Sequence, residues 1–358
     1  MKHGVLAFSS LGEKGKELIN IGDYIQGVAA NQFMHAEVVL NRERLDSYVG
    51  DDVKVIMNGW FMHNPGRFPP STRIFPLFVA FHVCPRIADV FLTEEVVSYL
   101  RQHSPIGCRD VQTLKILKER GVDAYFSACL TLTLGRSYGQ STQKQRSGVC
   151  FVDPFLPFRG WDFLKGIPYG LAHMSSVIRL YFLLKRDFLR GHGLFFRLKH
   201  FLLIGVYLRS YSKLFSHEVL MSAEYIGHDI DPNCYTSDED MFDRADRLLR
   251  RYACMRYCVT SRIHCALPCV GMGVPVVFVD SGKQAFSEGR FEGLRQFFNL
   301  ATVTPEKVVA HFDFSSAERR DRIGLCEDIP VTSKHDQYVR DLVARCMKFA
   351  SEEEVMDR

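Results

Sequence analysis

Val259-Thr260-Ser261-Arg262-Ile263-His264-Cys265-Ala266, followed by the apolar run Val274-Pro275-Val276-Val277-Phe278-Val279, decides the fold class of this 358-residue chain. A short apolar strand ends in Thr260 and Ser261, two residues that cap helices well, and a helix is expected to open at Arg262. Strand, helix and strand in that order predict a parallel sheet, with Arg262 and His264 in the first helical turn at its carboxyl edge. Unpaired backbone N–H groups and the positive end of the helix dipole favour an anion there. A fixed cation and a titratable imidazole at such a terminus suit a small acidic substrate. The plainer alternative is a helix start with a surface arginine and a packed histidine.

Outward from this stretch the pattern repeats. Strands are expected at 4–9, 36–40, 53–58, 75–83 and 122–126, with helices near 22–31, 93–102 and 110–120. The polar stretch 136–147 reads as a boundary. A second unit then opens with the strand Gly148–Val152 and resumes at 218–227. It continues with a helix at 238–252, strands at 256–260 and 275–279, and the helix 262–271 between them. The amphipathic tail, roughly 335–353, is expected to form a last helix packing back on the first unit. Strands joined by helical crossovers predict an α/β fold with doubly wound parallel sheets. The expected division is 1–147, 148–334 and 335–358.

Size and composition agree with two folded units: 47% of residues are hydrophobic, 24% charged and 12% aromatic. A net charge of +4 gives no general affinity for nucleic acid. The eleven cysteines form no C-x-x-C pair. Cys129, Cys150, Cys254, Cys258, Cys265 and Cys269 lie in apolar stretches and are expected to be buried free thiols in a reducing compartment. No cleavable leader is expected ahead of the first strand, and no apolar run approaches the ~20 residues of a spanning helix. A cytoplasmic protein is expected.

Residues 158–215 interrupt the alternation with ten Lys or Arg against Asp162 and Asp187. Leu, Phe and Tyr recur between them at roughly helical spacing. Two readings stand side by side: a helical insertion packed on the second unit, or a basic amphipathic surface meeting an anionic membrane or lipid-linked acceptor.

Other segments could carry chemistry. Pro105-Ile106-Gly107-Cys108-Arg109-Asp110 precedes the helix Val111–Arg120, so Arg109 sits at a second helix start, with Asp110 as cap or as its ion-pair partner. Asn20-Ile21-Gly22-Asp23 is a polar glycine turn entering a helix, and Asp23 could accept from a sugar hydroxyl. Asn58-Gly59-Trp60 follows a strand, and Trp60 offers a flat platform of the kind sugars stack on. His82 and His228 are cleft candidates, each with a structural alternative. Nothing falls at metal-ligand spacing.

Taken in order, Asn20–Asp23, Pro105–Asp110 with Tyr125-Phe126-Ser127-Ala128-Cys129-Leu130-Thr131-Leu132-Thr133-Leu134, and Tyr252–Val279 resemble the polysaccharide pyruvyl transferase family over most of the chain. Two departures are visible: the family's glycine-rich loop after an early strand is Asn58-Gly59 here, and the leucine of its S-R-L-H is Ile263. The resemblance implies a GT-B-like fold, two Rossmann-like domains facing a cleft, with 158–215 as a basic helical insertion in the second. It implies transfer of a pyruvyl group from phosphoenolpyruvate to hydroxyls of a sugar in a cell-surface polysaccharide or its precursor, forming a ketal and releasing phosphate. Phosphoenolpyruvate is then the donor substrate and no cofactor is needed. Arg109, Arg262 and His264 match the donor site, with Ile263 packing. Asn20, Gly22, Asp23, Asn58, Gly59, Trp60, Asp110, Ser261 and His228 are the further candidates for binding substrate. A GT-B-type glycosyltransferase using a nucleotide sugar and a non-catalytic glycan- or membrane-binding relative are the competing expectations.

Overall fold

The computed structural model describes residues 1–7, 18–61, 63–139, 146–154, 164, 166–185, 188, 194–280, 289, 291–304, 308–314, 322–326 and 329–352. Positions 8–9 of the first expected strand, 140–145 of the boundary stretch, 353 of the tail, and Arg159, Asp162, Lys165, Arg186, Asp187 and Arg190 lie outside the described residues.

The first sheet holds β1 (Lys2–Ala7), β3 (Val38–Asn41), β4 (Val53–Gly59), β5 (Ile74–Phe81), β6 (Ile106–Cys108) and β7 (Ala124–Phe126). Their order is β3-β1-β4-β5-β6-β7, and every neighbouring pair is parallel. All seven residues of β4 are buried, which is why the sequence runs apolar there with little alternation. Flanking helices are α1 (Ile21–Met34), α2 (Ala88–Phe91), α3 (Glu94–Gln102) and α4 (Val111–Glu119). α1, α3 and α4 are capped by side-chain oxygens of Asn20, Thr93 and Asp110. α5 (Gly135–Tyr138) follows a 3-10 turn at Leu130–Leu134.

The second sheet holds β8 (Val149–Val152), β9 (Glu224–Ile226), β11 (Tyr257–Thr260), β12 (Val276–Asp280), β13 (Asn299–Val303) and β14 (Val308–Ala310), in the order β14-β13-β12-β11-β8-β9. Among the described residues of this sheet, only the β13–β14 pair is antiparallel. The helices are α6 (Gly166–Ala172), α7 (Met174–Leu184), α8 (Leu194–Tyr211), α9 (His217–Ser222), α10 (Asp238–Ala253), α11 (Ile263–Gly271) and α12 (Asp336–Ser351). A two-stranded antiparallel ribbon of β2 (Ile19–Asn20) and β10 (Asp229–Ile230) ties the start of α1 to the second half, pairing Asn20 with Asp229.

Parallel strands put all their carboxyl ends on one edge, where open α/β sheets bind ligands. Asn58, His82, Arg109 and Ser127 occupy that edge of the first sheet, and Asp153, His228 and Ser261 that of the second. The space between the sheets is filled: α1 packs on α10 and α11, and α11 packs on Leu130–Leu134. A Cβ on Gly271 would strike the carbonyl of Leu132, and one on Gly135 the carbonyl of Gly271, so glycine permits this close approach. One apolar cluster runs through the first sheet, α1, α10 and α11, and a second lies on the far face of the second sheet under α7 and α8. The first cluster thus draws on elements of both sheets' halves, while the second belongs to the second sheet alone.

α12 lies against the first half. Lys54 Nζ donates to the carbonyl of Phe349 at 2.8 Å and to that of Glu352, and Tyr338 meets Phe126 edge-on at 5.2 Å. Of the six cysteines expected to be buried, Cys254 is exposed at the end of α10 and the other five are buried. Among the described residues no helix is long and apolar enough to cross a membrane.

Candidate active site

The site is organised around the first turn of α1. Asn20 Oδ1 accepts the N–H of Gly22 at 2.9 Å, and the N–H of Ile21 donates to the carbonyl of His228, also at 2.9 Å. This holds the start of α1 against the second half. His264 lies directly over Gly22: a Cβ there would sit 2.8 Å from His264 Nδ1 and 2.9 Å from its Cβ. A turn from the first half and a helix start from the second therefore share one surface.

Asp23, next along α1, keeps a quarter of its side chain exposed. Gln26 Nε2 donates to it at 3.1 Å, and Arg42 Nη1 stands 3.9 Å away. Desolvation lifts the Asp23 carboxyl above its ordinary range, against the opposing pull of Arg42, His63 and Arg109. Arg109, buried at the end of β6, is thereby placed within electrostatic reach of Asp23.

Arg109 is held from behind by Asp110. The Asp110 carboxylate caps α4 through the N–H of Thr113 at 2.8 Å, meets His82 Nδ1 at 2.7 Å, and stands 3.7 Å from Arg109 Nε. Cap and ion-pair partner, given as alternatives above, coincide in one side chain. Burial alone would raise this carboxyl, but the hydrogen bond and charge of His82, with Arg109 and the Thr113 N–H, bring it below its usual value.

Arg262 differs from expectation. It is the N-cap residue of α11, not a residue of its first turn, and Thr260 Oγ1 accepts its backbone N–H at 3.0 Å. Its Nε donates to Asp153 Oδ2 at 2.6 Å and its Nη2 to Asp229 Oδ2 at 2.9 Å. Burial disfavours its charge, yet these two carboxylates hold it protonated. Asp153 follows β8 in a left-handed conformation (φ 41°), and its carboxylate also accepts the N–H of His228. Ser261 Oγ donates to the Asp153 carbonyl at 2.7 Å, and Ile263 is buried in the core.

Other contacts fix the remaining candidates. Asn58 is buried and donates through Nδ2 to the carbonyl of Gln26, tying β4 to α1. Gly59 has φ 114°, which glycine adopts freely, and half-buried Trp60 faces His63 with ring centroids 4.5 Å apart. His228 is fully buried, and its Nε2 lies 2.8 Å from the Tyr252 hydroxyl. Among the described residues no group of three or more His, Cys, Asp or Glu is arranged to hold a metal ion.

The family model for polysaccharide pyruvyl transferase matches residues 20–283, a span that begins at the α1 turn and takes in every residue of this surface. The chain belongs to the polysaccharide pyruvyl transferase family. It is accordingly a transferase of polysaccharide biosynthesis, and the family implies a sugar or polysaccharide acceptor. No curated protein and no solved structure matches the chain.

In this pyruvyl transferase, Arg42, His63, His82, Asp153 and Asp229 join the site without having been singled out in the sequence, apart from His82. Arg42 and Asp153 do carry a signal, since each directly follows a strand of a parallel sheet. Burial lowers the His228 imidazole to about 4, against an ordinary 6.5. The unfolded chain therefore binds a proton between these values that the folded chain does not, and stability falls as pH drops through this window. The loss from this group is on the order of 3 kcal/mol. Denaturant unfolding of His228→Gln at stepwise pH is expected to show a shallower decline from pH 6.5 to about 4 than the wild type; equal slopes would assign the acid lability elsewhere.

Proposed function

We propose that this pyruvyl transferase moves the pyruvyl unit of phosphoenolpyruvate onto two hydroxyls of a sugar, releasing phosphate and leaving a cyclic ketal. The arrangement invoked is GT-B-like, with Rossmann-like domains 1–147 and 148–334 and the donor where their carboxyl edges meet at α1. The observation that carries the reading is that His264 of the second half lies over Gly22, next to Asp23 in the first turn of α1, with Arg262 bonded to Asp229 where that strand pairs with Asn20.

The donor has a carboxylate and a phosphate, and guanidiniums from two directions suit that pair. Arg262 Nη1 makes no hydrogen bond among the described residues, which leaves one of its nitrogens for an anion. His264 donates a proton to the methylene carbon, the C2 centre becomes cationic, and a sugar hydroxyl attacks it. Asp23, whose raised proton affinity suits a base, takes the hydroxyl proton. Phosphate then leaves C2 with the electron pair of the C–O bond, aided by the arginines, and the second hydroxyl closes the ketal. Two hydroxyl protons are lost; one ends on the new methyl group and the other on phosphate. The acceptor is a sugar carried on a nucleotide, a lipid or a polymer.

Mass spectrometry of candidate acceptors incubated with phosphoenolpyruvate tests the reading through the added pyruvyl mass and stoichiometric phosphate. Stabilisation against heat by nucleotide sugars and not by phosphoenolpyruvate would overturn it. Asp153→Asn keeps a residue that tolerates the left-handed backbone but removes the charge that aims Arg262. Its KM for phosphoenolpyruvate is expected to rise on the order of tenfold to a hundredfold, since small misplacements of a positioning group carry such costs. An unchanged KM would separate the Asp153–Arg262 pair from donor binding.

A further inference from the structure

We propose that the insertion formed by α6, α7 and α8 docks the enzyme on an anionic lipid bilayer, a proposal independent of the donor chemistry. α7 buries Val177, Leu180 and Leu184 in the apolar cluster of the second sheet and turns a second apolar line outward. Met174, Ile178 and Phe182, spaced four apart along that line, are 39%, 50% and 68% exposed. Leu171, at the end of α6, is 58% exposed. α8 crosses α6 in the opposite direction, because Gly166 abuts Val206 while Gly170 abuts Phe201. The beginning of α8 therefore lies toward Leu171 and Met174, and it carries Leu198, also 58% exposed, between exposed Arg197 and Lys199.

The charge of this surface selects its occupant. Residues 166–185 and 194–215 contain no Asp or Glu, and 158–215 as a whole set ten Lys or Arg against two Asp. A second copy docked through the same face would bring cations against cations with no carboxylate on α6, α7 or α8 to pair them. An anionic bilayer supplies a continuous apolar layer and negative headgroups together, and needs no complementary shape. Apolar side chains flanked by Lys and Arg are the pattern of a helix lying in the headgroup plane, and no described helix is built to span.

Cosedimentation of the full chain with vesicles tests this, comparing phosphatidylcholine containing phosphatidylglycerol with phosphatidylcholine alone. The wild type is expected to sediment with the anionic vesicles only, and to be released as salt rises and screens the contact. The triple variant Lys185→Gln, Arg197→Gln, Lys199→Gln is expected to bind about a hundredfold more weakly, at roughly fivefold per cation. Ile178→Ser with Phe182→Ser is expected to lose at least about tenfold, through the apolar contact. All substituted side chains are exposed, and melting followed by circular dichroism checks that both variants fold as the wild type does. The salt titration needs no variant. Wild-type protein remaining in the supernatant at low salt, equal binding to the two vesicle types, or variants sedimenting like wild type would overturn the proposal. So would a salt-sensitive dimer, with no vesicle binding, that the triple variant dissolves.

Discussion

Replacing His264 with alanine is expected to cut phosphate release from phosphoenolpyruvate by about 10²- to 10⁴-fold, the range typical of losing a positioned proton donor. The expectation follows from where the imidazole lies. It rests against Gly22 in the first turn of α1, at the junction of the two sheets' carboxyl edges. His228, the nearest rival in sequence motif, is fully buried against Tyr252 and held neutral, so it cannot substitute. His264→Gln separates proton donation from packing: it fills most of the space and can hydrogen-bond, but it cannot titrate. Both variants are therefore expected to lose turnover, while donor affinity in the glutamine variant stays within about tenfold of wild type. Phosphate release at the wild-type rate in either would remove His264 from the chemistry.

Much of this arrangement was legible from residue patterns, for identifiable reasons. β11, α11 and β12 were readable because buried parallel strands are nearly continuous apolar runs and a helix between them changes the period. β6 was not: Ile106–Cys108 is three residues long between Pro105 and Arg109, too short for any periodicity, and it was read only as the approach to the helix Val111–Arg120. Arg262 was placed one step too far into its helix because Thr260 and Ser261 looked like caps. In the structure Thr260 Oγ1 accepts the Arg262 N–H ahead of the helix, and Ser261 turns back to Asp153. Asp153 and Asp229 were invisible as partners of Arg262, since 109 and 33 residues separate them from it and only the strand order β11-β8-β9 and the β2–β10 ribbon bring them near. Single charges after strands look like ordinary turn residues until topology aligns the strand ends.

Gly22→Ala provides the sharper test of the same surface, because two effects of one methyl group act in opposite directions. Within a helix, alanine is ordinarily better than glycine by about 1 kcal/mol, so α1 in isolation gains from the change. In the folded protein the new Cβ would stand 2.8 Å from His264 Nδ1, 2.9 Å from His264 Cβ and 2.9 Å from Asn20 Oδ1. Separations this short require movement, and the Asn20 side chain is tied to the Gly22 N–H it caps. The imidazole is the group left to yield, carrying α11 with it or rotating off the α1 turn. Crowding of this kind costs on the order of 1–3 kcal/mol in packed sites, so net stability is expected to fall by about 0–2 kcal/mol. Turnover is expected to fall far more, on the order of a hundredfold or beyond, because a proton donor displaced by about 1 Å no longer meets the reacting carbon. The signature is thus a near-native melting temperature with phosphate release close to that of His264→Ala, and little further loss when the two substitutions are combined. Independent, multiplicative losses in the double variant would mean that Gly22 and His264 act on separate steps, and the shared surface at the start of α1 would not be the place where the proton is delivered.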